Sequence, residues 1–360
     1  ASSTINSNLL VSGVLNASSS LSVTGGGYFG GNVGIGTTSP GSLLAVQGNA
    51  LFSGNLNVAN VNATGTINTS GTTGGYKIDN NLILQASSTN YSTLVGQGAG
   101  AALLADGLYN TAVGYQALNV ATSSDYNTAI GFQALMANME GGVQNSAIGY
   151  RALYSNTTGS NNLAIGTEAL YFNTTGNNNS VMGTETLHSN TSGVYSSAIG
   201  YKSLYSNTTG GSNLAIGSSA LYSNTTGSNN SVMGGEILYY NGSATNTTAV
   251  GFQAGYGVAG TSNQNNSLFG YRSGYGLTTG SNNVLLGYQA GESLTSGSNN
   301  IVLGYDIDTP SATSANTLNI GNLLFGTSID GTGTTISSGN IGVGTTTPSA
   351  KLAVHGNALF

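Results

Sequence analysis

A short phrase repeated at a near-constant interval constrains this chain more than any other feature. An apolar pair followed by glycine recurs across residues 94–323, and its clearest copy reads Asn161-Asn162-Leu163-Ala164-Ile165-Gly166-Thr167-Glu168-Ala169-Leu170-Tyr171-Phe172-Asn173-Thr174-Thr175-Gly176. The anchor glycines are Gly96, Gly114, Gly131, Gly149, Gly166, Gly183, Gly200, Gly217, Gly234, Gly251, Gly270, Gly287, Gly304 and Gly321. Their spacings are 18, 17 and 18, then six of 17, then 19, 17, 17 and 17. A period held this closely means that each unit packs on its two neighbours, which is how stacked repeat architectures are written in sequence.

Counting from the anchor glycine as position 0, position −1 is always apolar, as in Ile148, Ile165 and Met182. Position +3 is mostly small and +4 is Leu in the middle copies. Positions +7 to +10 read as in Asn156-Thr157-Thr158-Gly159, which is turn chemistry because Asn and Gly tolerate positive φ. Gly and β-branched residues argue against a helix in so short a unit. Each unit therefore reads as two short strands and two turns. The array reads as an all-β, parallel β-solenoid of about 14 coils of about 17 residues, roughly 65–70 Å long at the strand spacing of about 4.8 Å. So narrow a coil buries little apolar surface by itself. The aromatic columns at +1 (Tyr115, Phe132, Tyr150) and +5 (Tyr154, Tyr171, Tyr205) are expected on an outer face, packed against sister rods in a homotrimer.

Composition narrows the function. The 360 residues include 57 Gly and no Cys, with five Lys+Arg against eleven Asp+Glu. The cations Lys77, Arg151, Lys202, Arg272 and Lys351 are scattered singly, whereas a nucleic-acid binder needs a basic face. No apolar run approaches the about 20 residues that span a bilayer. A basic-then-apolar leader is missing too, so either the chain is not secreted or it is an internal piece of a longer one.

Four segments follow from the pattern: a β-rich stalk or connector over residues 1–75, a transition over 76–93, the solenoid array over 94–323 and a second connector over 324–360. The first connector carries Gly31-Asn32-Val33-Gly34-Ile35-Gly36-Thr37-Thr38-Ser39-Pro40, and the second carries Gly339-Asn340-Ile341-Gly342-Val343-Gly344-Thr345-Thr346-Thr347-Pro348. Residues 31–52 and 339–360 agree at 15 of 22 positions, 308 residues apart. That repetition is expected of one module in a longer tandem chain or a head-to-tail fibre.

The phrases Ser146-Ala147-Ile148-Gly149-Tyr150-Arg151-Ala152-Leu153 and Ser197-Ala198-Ile199-Gly200-Tyr201-Lys202-Ser203-Leu204 resemble the left-handed β-roll heads of trimeric autotransporter adhesins. The connector motif resembles those of phage tail fibres and related bacterial surface fibres. The resemblance implies a left-handed β-roll, a homotrimer and an extracellular, cell-surface or virion-surface location. The unit here is longer than the usual adhesin-head repeat, and neither the family's membrane anchor nor the tail-fibre chaperone is present in this sequence.

Candidate chemistry is sparse. Gly96-Gln97-Gly98-Ala99-Gly100-Ala101 matches a dinucleotide loop in letters but lies in phase with the array, and Asp125 is too far on to serve as its acid. Asp306 and Asp308 could offer hard oxygens to a cation, but read more simply as exposed carboxylates at the array's end. His188 falls in the +5 column and His355 replaces Gln47 of the first connector; neither has a partner that would make it a ligand or a base. At +2, Arg151 and Glu168, and Glu185 and Lys202, should pair across neighbouring coils. Asn156, Asn173, Asn190, Asn207, Asn224 and Asn241 form a column that could be a hydrogen-bonded ladder or a set of glycosylation sequons. The sequence thus assigns no catalytic, cofactor-binding or metal residues. It reads as a non-enzymatic extracellular fibre or adhesin segment, whose partners are copies of itself and a host surface protein or glycan. The alternative is a phage tail-fibre shaft; an ice-binding or carbohydrate-binding solenoid fits less well.

Overall fold

The computed structural model describes residues 33–35, 44–46, 76–78, 81–86, 91–103, 107–121, 123–138 and 141–356. The rest of the expected 1–75 stalk and the final residues of the second connector motif, 357–360, lie outside this set. The chain divides into two units, Ala1–Ile67 and Asn68–Phe360. In the first, β1 (Val33–Ile35) pairs in parallel with β2 (Leu44–Val46).

The second unit is a parallel β-solenoid with no helix among its described residues. Fourteen three-residue strands, from β5 (Thr93–Val95) to β18 (Leu318–Ile320), lie side by side in chain order. Every neighbouring pair is parallel and aligned anchor to anchor, as in Leu163↔Ser180 and Ile165↔Met182. Fourteen strands define thirteen complete turns. At each end the ladder switches to antiparallel strands. β3 (Tyr76–Ile78) and β4 (Asn81–Ala86) precede it, and β19 (Leu324–Gly326) and β20 (Ile341–Val343) follow. These covering strands occupy edges that would otherwise offer unpaired N–H and C=O groups. β20 then pairs in parallel with β21 (Leu352–Val354), in the register Ile341↔Leu352. The first connector repeats that register 308 residues earlier, at Val33↔Leu44.

Each coil holds one strand, at positions −3 to −1, rather than the two expected. The second apolar run does not extend because residues +2 and +4 are left-handed: Arg151 and Leu153 both have φ of 52°, and Glu168 and Leu170 have φ of 54° and 53°. A third left-handed residue, such as Asn161 or Tyr195, stands at −5. A left-handed non-glycine residue costs about 1–2 kcal/mol. Full burial of a leucine returns about 1.5–3 kcal/mol, so the conformation is sustained where the leucine reaches the core. Leu118, Leu135, Leu153, Leu170, Leu187, Leu204 and Leu221 are all completely buried. Later coils solve the same problem differently. Gly274 and Gly291 take position +4 without a side-chain penalty, and the buried leucine moves to +7 as Leu277 and Leu294.

Along each strand the side chains alternate. The small residue at −2, such as Ala164 or Ala198, faces inward, and the larger one at −1, such as Met182 or Ile199, faces out. Ala at −2, a small residue at +3 and Leu at +4 therefore make up most of the apolar core, with buried asparagines at −4 and +7. Main-chain bonds run between coils in both directions. Gly166 N–H reaches back to Ile148 O (2.8 Å), and Leu170 N–H reaches forward to Thr186 O (3.0 Å). Coils are thus tied to both neighbours along the whole circuit, and not only at the strand.

Candidate functional site

The common register creates side-chain columns along the array, and these are its most extended working surface. The most apolar is the outward side of the strand ladder. At −1 it exposes Ile130, Ile148, Met182, Ile199, Met233, Val250, Phe269, Leu286 and Ile320. The neighbouring +1 column adds Tyr115, Phe132, Tyr150, Tyr201, Phe252, Tyr271, Tyr288 and Tyr305. Two columns about 10 Å wide over thirteen steps of about 4.8 Å outline a strip of roughly 600 Å², broken at +1 by Gln97, Thr167, Thr184, Ser218, Gly235 and Asn322. Its apolar part falls within the range of about 300–600 Å² for a monomer's largest apolar patch, a size often tied to function.

The +5 column is a continuous aromatic stack. Tyr154, Tyr171, His188, Tyr205, Tyr222, Tyr239, Tyr256 and Tyr275 follow one another at centroid spacings of 4.8–5.4 Å and interplanar angles of 3–19°. Unlike the +1 rings, these are half-buried. Burial raises the Tyr171 and Tyr239 phenols, and burial followed by a hydrogen bond with Tyr240 pushes Tyr256 up to about 12. Cations sit between the two aromatic columns: Arg151 lies over Tyr150 and Tyr154, Lys202 over Tyr201 and Tyr205, and Arg272 over Tyr271 and Tyr275, each 4.6–5.5 Å from the ring centre.

This arrangement corrects one expected ion pair. Arg151 forms none with Glu168: its guanidinium stacks on the two rings, and its Nε donates to Gln133 Oε1 at 3.0 Å, one coil earlier. A planar, weakly hydrated guanidinium stacks well on ring faces, and an exposed carboxylate would contribute only about 0–1 kcal/mol. The other expected pair forms, with Lys202 Nζ 3.4 Å from Glu185 Oε2. Hydrogen bonds to Tyr201 and then to Glu185 hold the Lys202 ammonium above its ordinary range. The sequence reading missed a third pair, Arg272 Nη1 to Glu292 Oε1 at 3.6 Å, which joins position +2 of one coil to +5 of the next.

His188 is a member of the stack. Its Nε2 lies 3.8 Å from Glu168 Oε2, while its buried Nδ1 finds no hydrogen-bond partner. Burial lowers its pKa, and the carboxylates of Glu168 and Glu185 offset part of that effect. Because the folded value lies below the unfolded one of about 6.5, the unfolded chain binds the proton first. Stability contributed by neutral His188 should be full above that pH and decline as pH falls through 6.5 toward the folded value. Urea midpoints measured between about pH 5 and 8 should slope in this window for the wild type and flatten in His188→Phe; equal slopes would remove the assignment.

Inside the coil run two asparagine ladders. In the expected one, Asn156, Asn173, Asn190, Asn207 and Asn224 each donate through Nδ2 to Oδ1 of the preceding member at 2.7–3.0 Å, beginning at Asn138. Asn241 leaves the ladder and donates to Asn263 O instead, so Asn224 Oδ1 is left without a partner. Members from Asn138 to Asn224 are 0% exposed, which rules out a glycan on them in the folded coil. The second ladder, at −4, went unnoticed in the sequence reading. Asn145 Oδ1 accepts the main-chain N–H of Asn162 (3.0 Å), Asn162 Oδ1 that of Asn179 (3.0 Å), and Asn179 Oδ1 that of Ser196 (3.0 Å). Its signal was an Asn four residues before most anchor glycines.

The remaining candidates resolve simply. Gly96 has φ of 122°, close to the 129–152° of the anchors from Gly114 to Gly304, and turns rather than a helix follow it; it is a repeat copy. The threonine hydroxyls at +8 donate to the next coil's main chain, as from Thr174 to Thr191 O at 2.9 Å, and do not present a regular hydroxyl face. Asp308 accepts from Ser293 N–H (3.1 Å) and from the Ser293 hydroxyl. Asp306 borders a cavity between the last coils and the closing strands. The main chain of His355 pairs with Val343 while its side chain is exposed. Among the described residues no three His, Asp or Glu side chains converge, and no helix is long and apolar enough to cross a membrane. Comparison of the chain with protein-family models, with curated proteins and with solved structures returned no match.

Proposed function

We propose that this chain is a structural, non-catalytic segment of an extracellular fibre, assembled as a homotrimer whose coils meet through the outward −1 column. The observation that carries the reading is that column: large apolar side chains face out all along the ladder, and in coils such as those of Ala147, Ala164, Ala198 and Ala215 the residue turned inward is only an alanine. The register makes every coil offer the same contact, as a partner with the same axial repeat requires, and another copy of this chain has that repeat. The resemblance to adhesin heads supports a left-handed roll and a surface location. The duplicated connector pairing supports a module used more than once along a fibre.

The test is mass in solution. Light scattering should give three times 35.8 kDa for the wild type. The triple variant Met182→Asp, Ile199→Asp, Met233→Asp should give a single chain, with its circular dichroism unchanged because all three side chains already face out. A wild type that stays at 35.8 kDa at every concentration overturns the assembly, and rods or filaments absent from electron micrographs overturn the fibre.

A further inference from the structure

We propose that the C-terminal end of the solenoid binds a neutral saccharide at a cavity beside Tyr305. The cavity, about 410 Å³, opens between the last coils and the closing strands; Asp306, Asp308, Thr309, Asn319, Asn322 and Phe325 are among its lining residues, and Tyr305 stands outside the lining, next in the chain to Asp306. Its volume suits one or two sugar rings, within the range of small-ligand sites.

Three features select the ligand. The first is an unshared ring face. Tyr305 ends the +1 column, stacked on Tyr288 at 5.0 Å. The next residue in phase is Asn322, which lines the cavity and carries no ring. Tyr305 is 74% exposed against 38–51% for the other aromatic residues of its column. Since rings in a column stack along the ladder, this free face looks along it toward the level of Asn322. Packing of rods side by side covers ring edges and leaves the face open, so the proposal stands whether or not the chain trimerises. An apolar face of this kind suits the C–H side of a pyranose, as it suits other flat ligands.

The second feature is the division of polar groups. Asp308 is engaged by Ser293. Asn319 is engaged by Asp308 O at 2.7 Å and by Asn322 Oδ1 at 2.8 Å. Left over are the Asp306 carboxylate, which has no hydrogen bond or ion pair among the described residues, and the Asn322 Nδ2 donors. A carboxylate accepting from two adjacent hydroxyls, next to an amide donor, matches the vicinal hydroxyls of a sugar. The third is charge. Two carboxylates with no cation among the lining residues repel acidic sugars and leave neutral ones.

Isothermal titration of the intact chain with the methyl glycosides of glucose, galactose, mannose and N-acetylglucosamine should give millimolar binding for at least one, and none for N-acetylneuraminic acid. Asp306→Asn and Tyr305→Ala should each weaken it about tenfold, or abolish it. Both side chains are exposed, and Asn tolerates the left-handed backbone at 306 (φ 52°), so unfolding midpoints should not move. Tyr201→Ala, far along the array, should bind as the wild type does. The site is overturned if no glycoside binds, if both variants bind unchanged, if the acidic sugar binds equally well, or if only calcium chloride gives a signal that Asp306→Asn removes.

Discussion

Gly166→Ala should destabilise the array by about 4 kcal/mol, for the addition of one methyl group. Gly166 has φ of 136°, outside the range of L side chains, and an added Cβ would sit 2.3 Å from Gly183 O and 2.6 Å from Gly183 C in the next coil. The strained dihedral alone costs about 1–3 kcal/mol. The contact adds an overpacking term of about 1–3 kcal/mol, which flexible side chains cannot relieve because the obstacle is main chain. Relief would require prying two coils apart, and with them the bond from Gly183 N–H to Ile165 O (2.8 Å). Gly321→Ala, at the anchor of the last coil, is the control, since its φ is 60° and a Cβ there meets nothing within 4 Å; it should lose only the left-handed penalty of about 1–2 kcal/mol. Urea unfolding of the two variants should separate their midpoints clearly. Equal shifts would show that the close approach of Gly166 to the next coil is not what requires glycine there.

Asn190→Asp should be nearly as damaging at neutral pH and should partly recover in acid. Asn190 Nδ2 donates to Asn173 Oδ1 (2.8 Å) and Gly193 O (3.1 Å), and its Oδ1 accepts from Asn207 Nδ2 (3.0 Å). Aspartate has the same shape but nothing to donate when ionised, so two acceptors would face a buried charge. A loss of about 3–5 kcal/mol at pH 7 is expected. Burial raises the folded-state pKa of such a carboxyl above its unfolded value of about 3.9. The folded form then binds the extra proton, so stability falls as pH rises through the window between the two values and is flat above it. Protonation restores one donor, hence partial recovery. Urea midpoints of variant and wild type compared from about pH 4 to 8 should converge toward the acid end. A constant gap, or a loss below about 1 kcal/mol, would mean that the ladder bonds are replaceable by water.

The solenoid was legible because its main constraint is a period, and a period survives in sequence wherever strand pairing is in register. Ala147, Ala164 and, through Val181, Ala198 line up in space because they line up in phase. The second strand was misread because backbone handedness is not written in the letters: Leu153 and Leu170 occupy left-handed positions that propensity alone would assign to extended chain. The Arg151–Glu168 pair failed for a different reason. Phase gave the right neighbours, but Arg151 also had Tyr150 and Tyr154 within reach, and ring faces won. The asparagines at −4 carried as much signal as those at +7. They precede the strand, where Asn also favours turns, so the letter alone does not distinguish a ladder from a turn. The cavity at Asp306 could not have been read at all, since it depends on how residues 322–325 and 346 fold back over the last coils.

The pairing of every coil with its like, shifted by one whole unit, has an evolutionary consequence. A deletion of seventeen residues between equivalent points, such as 184–200, would join one coil to the next-but-one with the same contacts on both sides. Length is then a free variable for the gene: recombination between near-identical units can lengthen or shorten the rod in steps of about 4.8 Å without redesigning any interface. Only the stretches with unequal spacing, near Gly114, Gly149 and Gly270, would resist such exchange, and related chains should differ in unit number mainly between Gly149 and Gly251 and between Gly270 and Gly321.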